Sequence, residues 1–279
     1  MVERTLSKDR PIVLVGAGKM GGALLSGWLQ SESGENFCIL DPVLSPEMSA
    51  LVEDNGVAHH QSPPHDLLAS IVIVAIKPQM MADVLPNLAP LIQNDGSGQT
   101  IVVSVAAGTP VSVFRKFFSE TTPIVRAMPN TPAQVGRGIT IGYATPDIDD
   151  AGRDLVAKLL SVTGAFDWVY EEDLIDAVTA VSGSGPAYVF HMVEALADAA
   201  RKAGISDPLA MKLARATVEG AGELLYQSDL EAFELRQNVT SPGGTTAAAL
   251  SVLMANDGLT ALMERAVDAA KRRAKELAD

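Results

Sequence analysis

The sequence predicts a two-part α/β protein, in which a parallel sheet with crossover helices is followed by an all-helical half. From Pro11 to about Trp168, short β-branched runs alternate with longer helical patterns, as in successive strand–helix–strand units. After about Glu171 the β-branched runs end, and alanine, leucine, methionine and glutamate fill long helical stretches. We therefore expect a first domain at residues 1–170 and a second at residues 171–279.

Seven strands are predicted in the first half. Several of them are apolar on both faces, which is expected where helices cover both sides of a parallel sheet. The predicted strands are Ile12–Val15, Phe37–Leu40, Ile71–Ile76, Ile101–Val105, Ile124–Ala127, Ile139–Tyr143 and Phe166–Val169.

The second half is predicted to be helical and to associate with a second copy. The helix Ala187–Gly204 carries few charges and must be buried on most sides. The last helix, Gly258–Ala278, has an apolar stripe and a basic end that complements the helix dipole, although this basic cluster could instead bind a ligand. So much apolar helical surface in one chain predicts a homodimer interface.

The composition is typical of a folded protein that does not bind nucleic acid. Of 279 residues, 47% are apolar and 20% are charged, which is close to ordinary globular usage. The 21 basic and 34 acidic residues give a net charge of -13, which repels a phosphate backbone. No stretch approaches the roughly 20 apolar residues that span a bilayer, and Met1–Arg10 is charged. We expect a cytoplasmic protein with no membrane or nucleic-acid partner.

The cysteine and histidine residues do not indicate a metal or redox site. The single cysteine, Cys38, lies in an apolar run and is expected to be a small buried hydrophobic residue without a catalytic role. The four histidines have no cysteine partners and no ligand-like spacing, and His59 and His60 would point to opposite faces of a strand. We therefore expect no metal.

A glycine-rich turn after the first strand indicates a dinucleotide site. The pattern G-x-G-x-x-G lies between a predicted strand and a predicted helix. Gly16 allows the tight turn, Gly18 lets the backbone approach a pyrophosphate, and Gly21 permits close helix packing. The N–H groups of the helix start, at Lys19 and Met20, would face the anion. The alternative is a glycine-rich turn that holds no ligand.

Further cofactor contacts are predicted where later strands end. Asp41 closes the second strand, where a carboxylate would accept hydrogen bonds from the adenosine ribose. It favours NADH over NADPH, because a 2′-phosphate would meet a like charge; the alternative is that Asp41 belongs to a simple turn. Three later strand ends would lie at the same sheet edge, either as cofactor lining or as loops without a ligand. They contain Ala75, Lys77 and Pro78; Ala106, Ala107 and Gly108; and Asn130.

Six blocks of sequence resemble those of pyrroline-5-carboxylate reductases, and together they cover nearly the whole chain. The two blocks in the helical half are the most specific, because a generic dinucleotide-binding fold does not require them. The blocks are Gly16–Gly21, Val74–Pro78, Val102–Gly108, Arg126–Pro132, Val181–Tyr188 and Val239–Thr246.

The resemblance implies a fold and a reaction. The fold is an N-terminal Rossmann domain and a C-terminal helical domain that interlocks with its partner in a dimer, with a site between the two domains. Larger assemblies of dimers occur in the family. The reaction is reduction of 1-pyrroline-5-carboxylate to L-proline by direct hydride transfer from NADPH or NADH. Many members carry small hydroxyl residues after the second strand and use NADPH, so Asp41 departs from their pattern.

The resemblance also implies the substrate contacts. Ser241 and the N–H groups of Gly244, Thr245 and Thr246 would hold the substrate carboxylate. The Thr246 hydroxyl would meet the ring nitrogen as the catalytic contact, and Val239 would pack against the ring. From the residues alone, this block is a glycine turn that enters a helix. Such a turn is either a carboxylate cradle or an ordinary N-cap formed by Thr245 or Thr246.

Two other functions are compatible with parts of the sequence. One is an NAD(P)-dependent reductase of another small imino or hydroxy acid, because other enzymes combine a Rossmann half with helices. Against it, no histidine or lysine of the helical half lies in a catalytic motif of the hydroxyacid type. The other is a nucleotide-sensing protein that binds the cofactor without turnover, although a sensor would not need the substrate block.

Overall fold

The computed structural model describes residues 7–92 and 99–278, and in these residues eight strands form one sheet. The strands are β1 Ile12–Val15, β2 Phe37–Leu40, β3 Ala58–His60, β4 Ile71–Val74, β5 Ile101–Ser104, β6 Ile124–Met128, β7 Gly138–Ala144 and β8 Gly164–Val169. The helices are α1 Lys19–Trp28, α2 Pro46–Asp54, α3 Met81–Leu88, α4 Val111–Arg115, α5 Asp150–Leu160, α6 Leu174–Val178, α7 Gly185–Lys202, α8 Asp207–Gln227, α9 Ala232–Asn238, α10 Thr245–Leu253 and α11 Leu259–Ala278.

The sheet has the strand order β3-β2-β1-β4-β5-β6-β7-β8 and is dominated by parallel pairs, as predicted. One pair departs from the expectation, because β7 runs antiparallel to β6. The connection Pro129–Arg137 between these strands is shorter than the roughly dozen residues that a parallel crossover needs. The chain therefore turns back on itself at this point.

Each of the seven predicted strands is present, and each of their ends lies within two residues of its predicted position. Strand β3 was not predicted; it pairs in parallel with β2 at the edge of the sheet. The residues Ala58, His59 and His60 include no β-branched side chain, and none of them is buried. Pairing with β2, and not a local propensity, makes this segment a strand.

Alternate strand residues contribute to two hydrophobic cores, one on each face of the sheet. On the first face, Trp28 of α1 stacks on Phe37 at a ring-centroid distance of 5.2 Å and donates its indole N–H to the carbonyl of Leu159. On the second face, Leu85 of α3 and Phe114 of α4 are fully buried. Helices therefore cover both faces, which accounts for strands that are apolar on both sides.

Cys38 lies in the second core and is 1% exposed, which confirms the expected buried position. Desolvation by this burial raises the pKa of the Cys38 thiol to about 11. The thiolate form is therefore suppressed near neutral pH, and the residue behaves as a hydrophobic one.

The described chain divides into two compact units. The first contains the chain up to Gly183 together with the last residues from Lys271, and the second is Ser184–Ala270. The domain boundary predicted between residues 170 and 171 stays a prediction. In the second unit, α7 packs with α8, and the buried residues are small: Ala197, Ala210 and Ala214.

Much of the apolar surface of the second unit is exposed in the single chain. Phe190 of α7, for example, is 64% exposed. Among the described residues, no helix is both long and apolar enough to cross a membrane. The same residues contain no group of three or more His, Cys, Asp or Glu placed to bind a metal ion.

Candidate active site

The glycine-rich turn joins β1 to α1 with little space between its residues. Gly16 has φ +90°, a left-handed conformation that favours glycine. A Cβ atom at Gly21 would lie 2.1 Å from the carbonyl oxygen of Gly16, so only glycine lets α1 start this close to the turn. A Cβ atom at Gly18 would meet nothing within 4 Å. The turn is thus packed on its inner side and open at Gly18.

The start of α1 offers backbone donors to an anion. Gly18 is the N-cap residue and makes no side-chain cap, and the helix begins at Lys19. The first N–H groups of a helix have no carbonyl partner within it, and they form the positive end of its dipole. Met20 packs against the core, whereas the Lys19 side chain is exposed. Gly18 and the first turn of α1 therefore fit a bound pyrophosphate.

Asp41 braces this turn from the end of β2. Its Oδ2 atom accepts the backbone N–H of Ala17 at 2.8 Å, and its Oδ1 atom accepts the backbone N–H of Val43 at 3.0 Å. A carboxylate oxygen can accept a second hydrogen bond, so both oxygens can still receive a ribose hydroxyl. Asp41 thus shapes the turn and also places a negative charge beside it.

A cavity of about 750 Å³ opens beyond the ends of β1, β2 and β4. The strand order reverses direction between β1 and β4, and open α/β sheets bind their ligands at such a point. The volume is in the range of small-molecule and cofactor sites. Five predicted cofactor residues line this cavity: Gly16, Gly18, Asp41, Ala75 and Lys77.

One wall of the same cavity is formed by residues that were not predicted. Residues Gln61–His65 and Met80 line it together with the predicted residues. The loop Gln61–His65 follows β3 directly, so it begins at the same edge of the sheet as Asp41. The loop was not predicted to lie at the site because β3 was not predicted. A parallel strand predicted at Ala58–His60 would have put the loop at the same sheet edge as Asp41.

A second cavity of about 820 Å³ lies beside α1. Gly18 and Lys19 line it, together with Met48 and residues of the 3-10 turn Thr131–Val135. Gly18 therefore borders both cavities.

The other predicted cofactor residues lie outside these two cavities. Pro78 is exposed and begins a short 3-10 helix after β4. After β5, Ala106 is buried with its N–H donated to the Ser104 hydroxyl, Ala107 is exposed, and Gly108 has φ +66°.

Asn130 uses both ends of its side-chain amide within the protein. Its Oδ1 atom accepts the backbone N–H of Ile139 at 2.9 Å, and its Nδ2 atom donates to the carbonyl of Ser182 at 3.2 Å. Asn130 therefore ties the end of β6 to the segment around Ser182.

The predicted substrate block lies in the second unit, where a turn leads into α10. Gly243 has φ +70°, and a Cβ atom at Gly244 would lie 2.4 Å from the Ser241 Oγ atom. The N–H of Gly244 is donated to the carbonyl of Ser241 at 3.0 Å. Helix α10 begins at Thr245, so the N–H groups of Thr245 and Thr246 lie in a first turn without intrahelical acceptors.

The start of α10 bears on whether the substrate block is a carboxylate site or an ordinary N-cap formed by Thr245 or Thr246. The N-cap residue of α10 is Gly244, which makes no side-chain cap, so neither Thr245 nor Thr246 forms the ordinary N-cap. Val239 is the C-cap residue that follows α9 and is 67% exposed, and Ser241 is also exposed. The turn therefore presents donors and an apolar side chain on an accessible surface of the second unit.

Two protein families match separate parts of the chain. The family described as pyrroline-5-carboxylate reductase dimerisation matches residues 172–277. The family described as NADP oxidoreductase coenzyme F420-dependent matches residues 11–108. The first match contains the turn before α10, and the second contains the glycine-rich turn.

Relatives and solved structures extend the likeness over the whole chain. A pyrroline-5-carboxylate reductase of Pseudomonas aeruginosa is 37% identical over 96% of this chain and 97% of its own length. A structure of the Coxiella burnetii reductase has a TM-score of 0.88 with 33% identity, covering 97% of this chain and 99% of that chain. The Plasmodium falciparum pyrroline carboxylate reductase with NADP bound has a TM-score of 0.76 with 28% identity, covering 98% and 99% of the two chains. This chain belongs to the pyrroline-5-carboxylate reductase family.

Proposed function

We propose that this chain is a pyrroline-5-carboxylate reductase, which reduces 1-pyrroline-5-carboxylate to L-proline as the last step of proline biosynthesis. The observation that carries the proposal is 37% identity to the Pseudomonas aeruginosa enzyme over nearly the full length of both chains. The chain is an NAD(P)H-dependent oxidoreductase that acts on a cyclic imine. The reduced nicotinamide cofactor supplies the hydride for this reaction.

The glycine-rich turn and the cavity beside it hold the dinucleotide. The backbone of Gly18 and the first N–H groups of α1, at Lys19 to Gly21, bind the pyrophosphate. Asp41 accepts the ribose hydroxyls, and the loop Gln61–His65 borders the adenosine. This part of the proposal is supported by the open space at Gly18 and by the cavity that Gly16, Asp41, Ala75 and Lys77 line.

We assign the nicotinamide end of the cofactor to the later strand ends. These are the segments that contain Pro78, Ala106 to Gly108, and Asn130. In a parallel sheet these strand ends lie at the same edge as the glycine-rich turn. Asn130 acts there as a brace, because both ends of its amide are bonded within the protein.

NADH is the preferred cofactor in this proposal. The carboxylate of Asp41 lines the adenosine cavity, where it would repel the 2′-phosphate of NADPH. Its bonds to Ala17 and Val43 hold this charge in a fixed position.

The turn before α10 binds the substrate carboxylate. The N–H groups of Thr245 and Thr246 and the hydroxyl of Ser241 donate to the carboxylate, which is stabilised by the positive end of the helix dipole. Gly244 contributes mainly by its lack of a side chain, since its N–H already bonds to Ser241. Val239 packs against the ring, and the Thr246 hydroxyl hydrogen-bonds the ring nitrogen.

Positioning accounts for most of the catalysis in this proposal. An imine nitrogen protonates readily, and the iminium carbon then accepts a hydride without a further general acid. The two reacting carbons must be held roughly 3 to 3.5 Å apart, and water must be kept out. Thr246 keeps the ring oriented as its nitrogen becomes a neutral amine.

The chain works as a homodimer through its helical part, which contains the dimerisation match. We assign cofactor binding to residues 1–170, and substrate binding and dimerisation to residues 171–279. The exposed apolar surface of α7 and α8 supports this assignment. Assembly of dimers into a larger homo-oligomer and a cytoplasmic location stay predictions.

Substrate profiling tests the proposed function. Purified protein is mixed with NADH or NADPH and with 1-pyrroline-5-carboxylate, a six-membered cyclic imino acid or a small 2-oxo acid, and the loss of nicotinamide absorbance is followed. Faster turnover of 1-pyrroline-5-carboxylate than of the other acids supports the proposal. Faster turnover of one of the others would show a reductase of a different small acid, and cofactor binding without any turnover would show a nucleotide sensor.

A further inference from the structure

A buried arginine in β6, Arg126, is connected through two carboxylates to the start of α4 and to α6. Arg126 lies in β6, where it is opposite Ser104 of β5 and Tyr143 of β7, and its side chain is 4% exposed. A guanidinium stays charged at any physiological pH, so its burial is favourable only with carboxylate partners in good geometry.

Two carboxylates meet this guanidinium, one from Glu172 in the turn before α6 and one from Asp176 within α6. The Nη1 atom donates to Glu172 Oε1 at 3.3 Å, and the Nη2 atom donates to Asp176 Oδ1 at 2.9 Å. Within the described residues the buried Nε atom of Arg126 has no acceptor. The contact therefore depends on the two Nη groups, which the single ammonium of a lysine cannot replace.

Glu172 extends the connection to the loop after β5. The same Oε1 atom accepts the backbone N–H of Val111 at 2.8 Å, at the first residue of α4. Thr109 and Pro110 link residues Ala106 to Gly108 to this helix start. One carboxylate oxygen thus holds both Arg126 and the far end of the loop.

Asp176 connects Arg126 to the segment that follows α6. The chain continues from α6 into one turn of π-helix, Thr179–Gly183, a feature that occurs often at functional sites. Two further contacts hold this turn against the end of β6. Asn130 donates to the carbonyl of Ser182, and a Cβ atom at Gly183 would lie 2.5 Å from Met128 Cε.

We propose that Arg126 is a positioning residue for hydride transfer, which acts through Glu172 and Asp176 on the loop Ala106–Gly108 and on the π-helical turn Thr179–Gly183. The inference rests on the proposed function, which places the nicotinamide at these strand ends. None of the three ionic residues lines the adenosine cavity. Loss of the arginine contacts should therefore slow the chemical step and leave binding of the adenosine half unchanged.

The experiment compares Arg126→Lys with Arg115→Lys. Arg115 is the control because its guanidinium also makes several contacts, to the carbonyls of Ser119 and Thr122 and to Asp147, but its bonding partners among the described residues include neither Glu172 nor Asp176. Four quantities are measured: kcat, the kinetic isotope effect on kcat with nicotinamide deuterated at C4, the Kd of ADP-ribose, and the thermal midpoint.

For Arg126→Lys we expect kcat to fall roughly ten- to hundredfold, since small misplacements of reacting groups cost this much. The isotope effect on kcat should rise, and the Kd of ADP-ribose should stay within about twofold. For Arg115→Lys, kcat should stay within about twofold. A fall in kcat with an unchanged isotope effect would overturn the proposal, because loss of folded enzyme alone gives that result.

A second variant and a hydrogen-exchange measurement distinguish failure of this proposal from a folding defect and from failure of the proposed function. Glu172→Gln keeps the shape of the residue and an acceptor oxygen; if Arg126→Lys does not fold, this variant should show the same rise in isotope effect. Hydrogen exchange of residues 105–111 and 179–183 should be faster in either variant than in Arg115→Lys, and this measurement needs no substrate. Unchanged exchange would overturn the positioning role, whereas absent turnover by the wild-type protein would refute the proposed function.

Discussion

The carboxylate of Asp41 accepts the backbone N–H of Ala17 at 2.8 Å, so the residue that follows β2 holds the glycine-rich turn that follows β1. This one side chain has two consequences for cofactor binding. It stabilises the turn that carries Gly18, and it places a negative charge in the cavity that we propose for the adenosine.

Replacing Asp41 by serine should change both properties. We expect the ratio of kcat/KM for NADPH to that for NADH to rise at least about tenfold, because a like charge near the 2′-phosphate is removed. Loss of two charge-assisted hydrogen bonds should lower the free energy of unfolding by about 2 kcal/mol. Steady-state kinetics and urea unfolding measure the two effects, with the exposed Asp66→Ser as the control. An unchanged cofactor ratio would make Asp41 a residue of the turn only.

Substitution by alanine should have different effects at two glycines of the turn, Gly21 and Gly18. In Gly21→Ala the new methyl group would collide with the Gly16 carbonyl, so we expect a loss of about 1–3 kcal/mol in the free energy of unfolding. In Gly18→Ala the methyl group meets no protein atom, so stability should change by less than about 0.5 kcal/mol. The methyl group should nevertheless weaken dinucleotide binding at least about tenfold, as calorimetry would show. Equal binding by Gly18→Ala would rule out close approach of the pyrophosphate at this residue.

The Cys38 thiol should make the stability depend on alkaline pH. Burial raises its pKa to about 11 from an ordinary value of 9.0, so the folded state keeps a proton that the unfolded state loses. The resulting stabilisation is complete below about pH 9 and is lost as the pH rises through about 11. The difference in free energy of unfolding between wild type and Cys38→Ala should therefore shrink by roughly 2 kcal/mol over this range. A difference that stays constant with pH would contradict the shift.

An acidic residue on the exposed face of α7 should prevent dimerisation. Phe190 is 64% exposed in the single chain, and burying a glutamate there in an apolar interface is strongly unfavourable. Sedimentation of Phe190→Glu should show a monomer at micromolar concentration, whereas Val43→Glu, at an exposed site of the first unit, should stay dimeric. A dimeric Phe190→Glu would exclude this face of α7 from the interface.

Local patterns predicted most of the sheet but not its irregular parts. Short β-branched runs, several of them apolar on both faces, identified seven strands, and a strand-turn-helix context identified Gly16, Gly18 and Gly21. The strand β3 was missed because its pairing with β2 outweighs its weak propensity. The antiparallel direction of β7 depends on the length of one connection, which residue patterns alone did not indicate.

The candidate site was predicted less completely than the fold. The sequence predicts that Asp41 lies beside the ribose, but it could not show that both carboxylate oxygens accept backbone N–H groups. It likewise indicated a donor at Gly244, whereas the structure uses that N–H in a turn. The contacts of Arg126 with Glu172 and Asp176 join residues about 46 to 50 positions apart, and no local pattern reveals such a pair.

Formation of proline is the most direct test of the proposed reaction. Purified protein is given 1-pyrroline-5-carboxylate and NADH, and proline is quantified by mass spectrometry against the nicotinamide oxidised. We expect one proline for each hydride transferred, a kcat that is roughly tenfold or more lower in Thr246→Ala, and an unchanged kcat in Ser251→Ala on the same helix. Oxidation of the cofactor without proline, or wild-type turnover by a folded Thr246→Ala variant, would contradict this expectation.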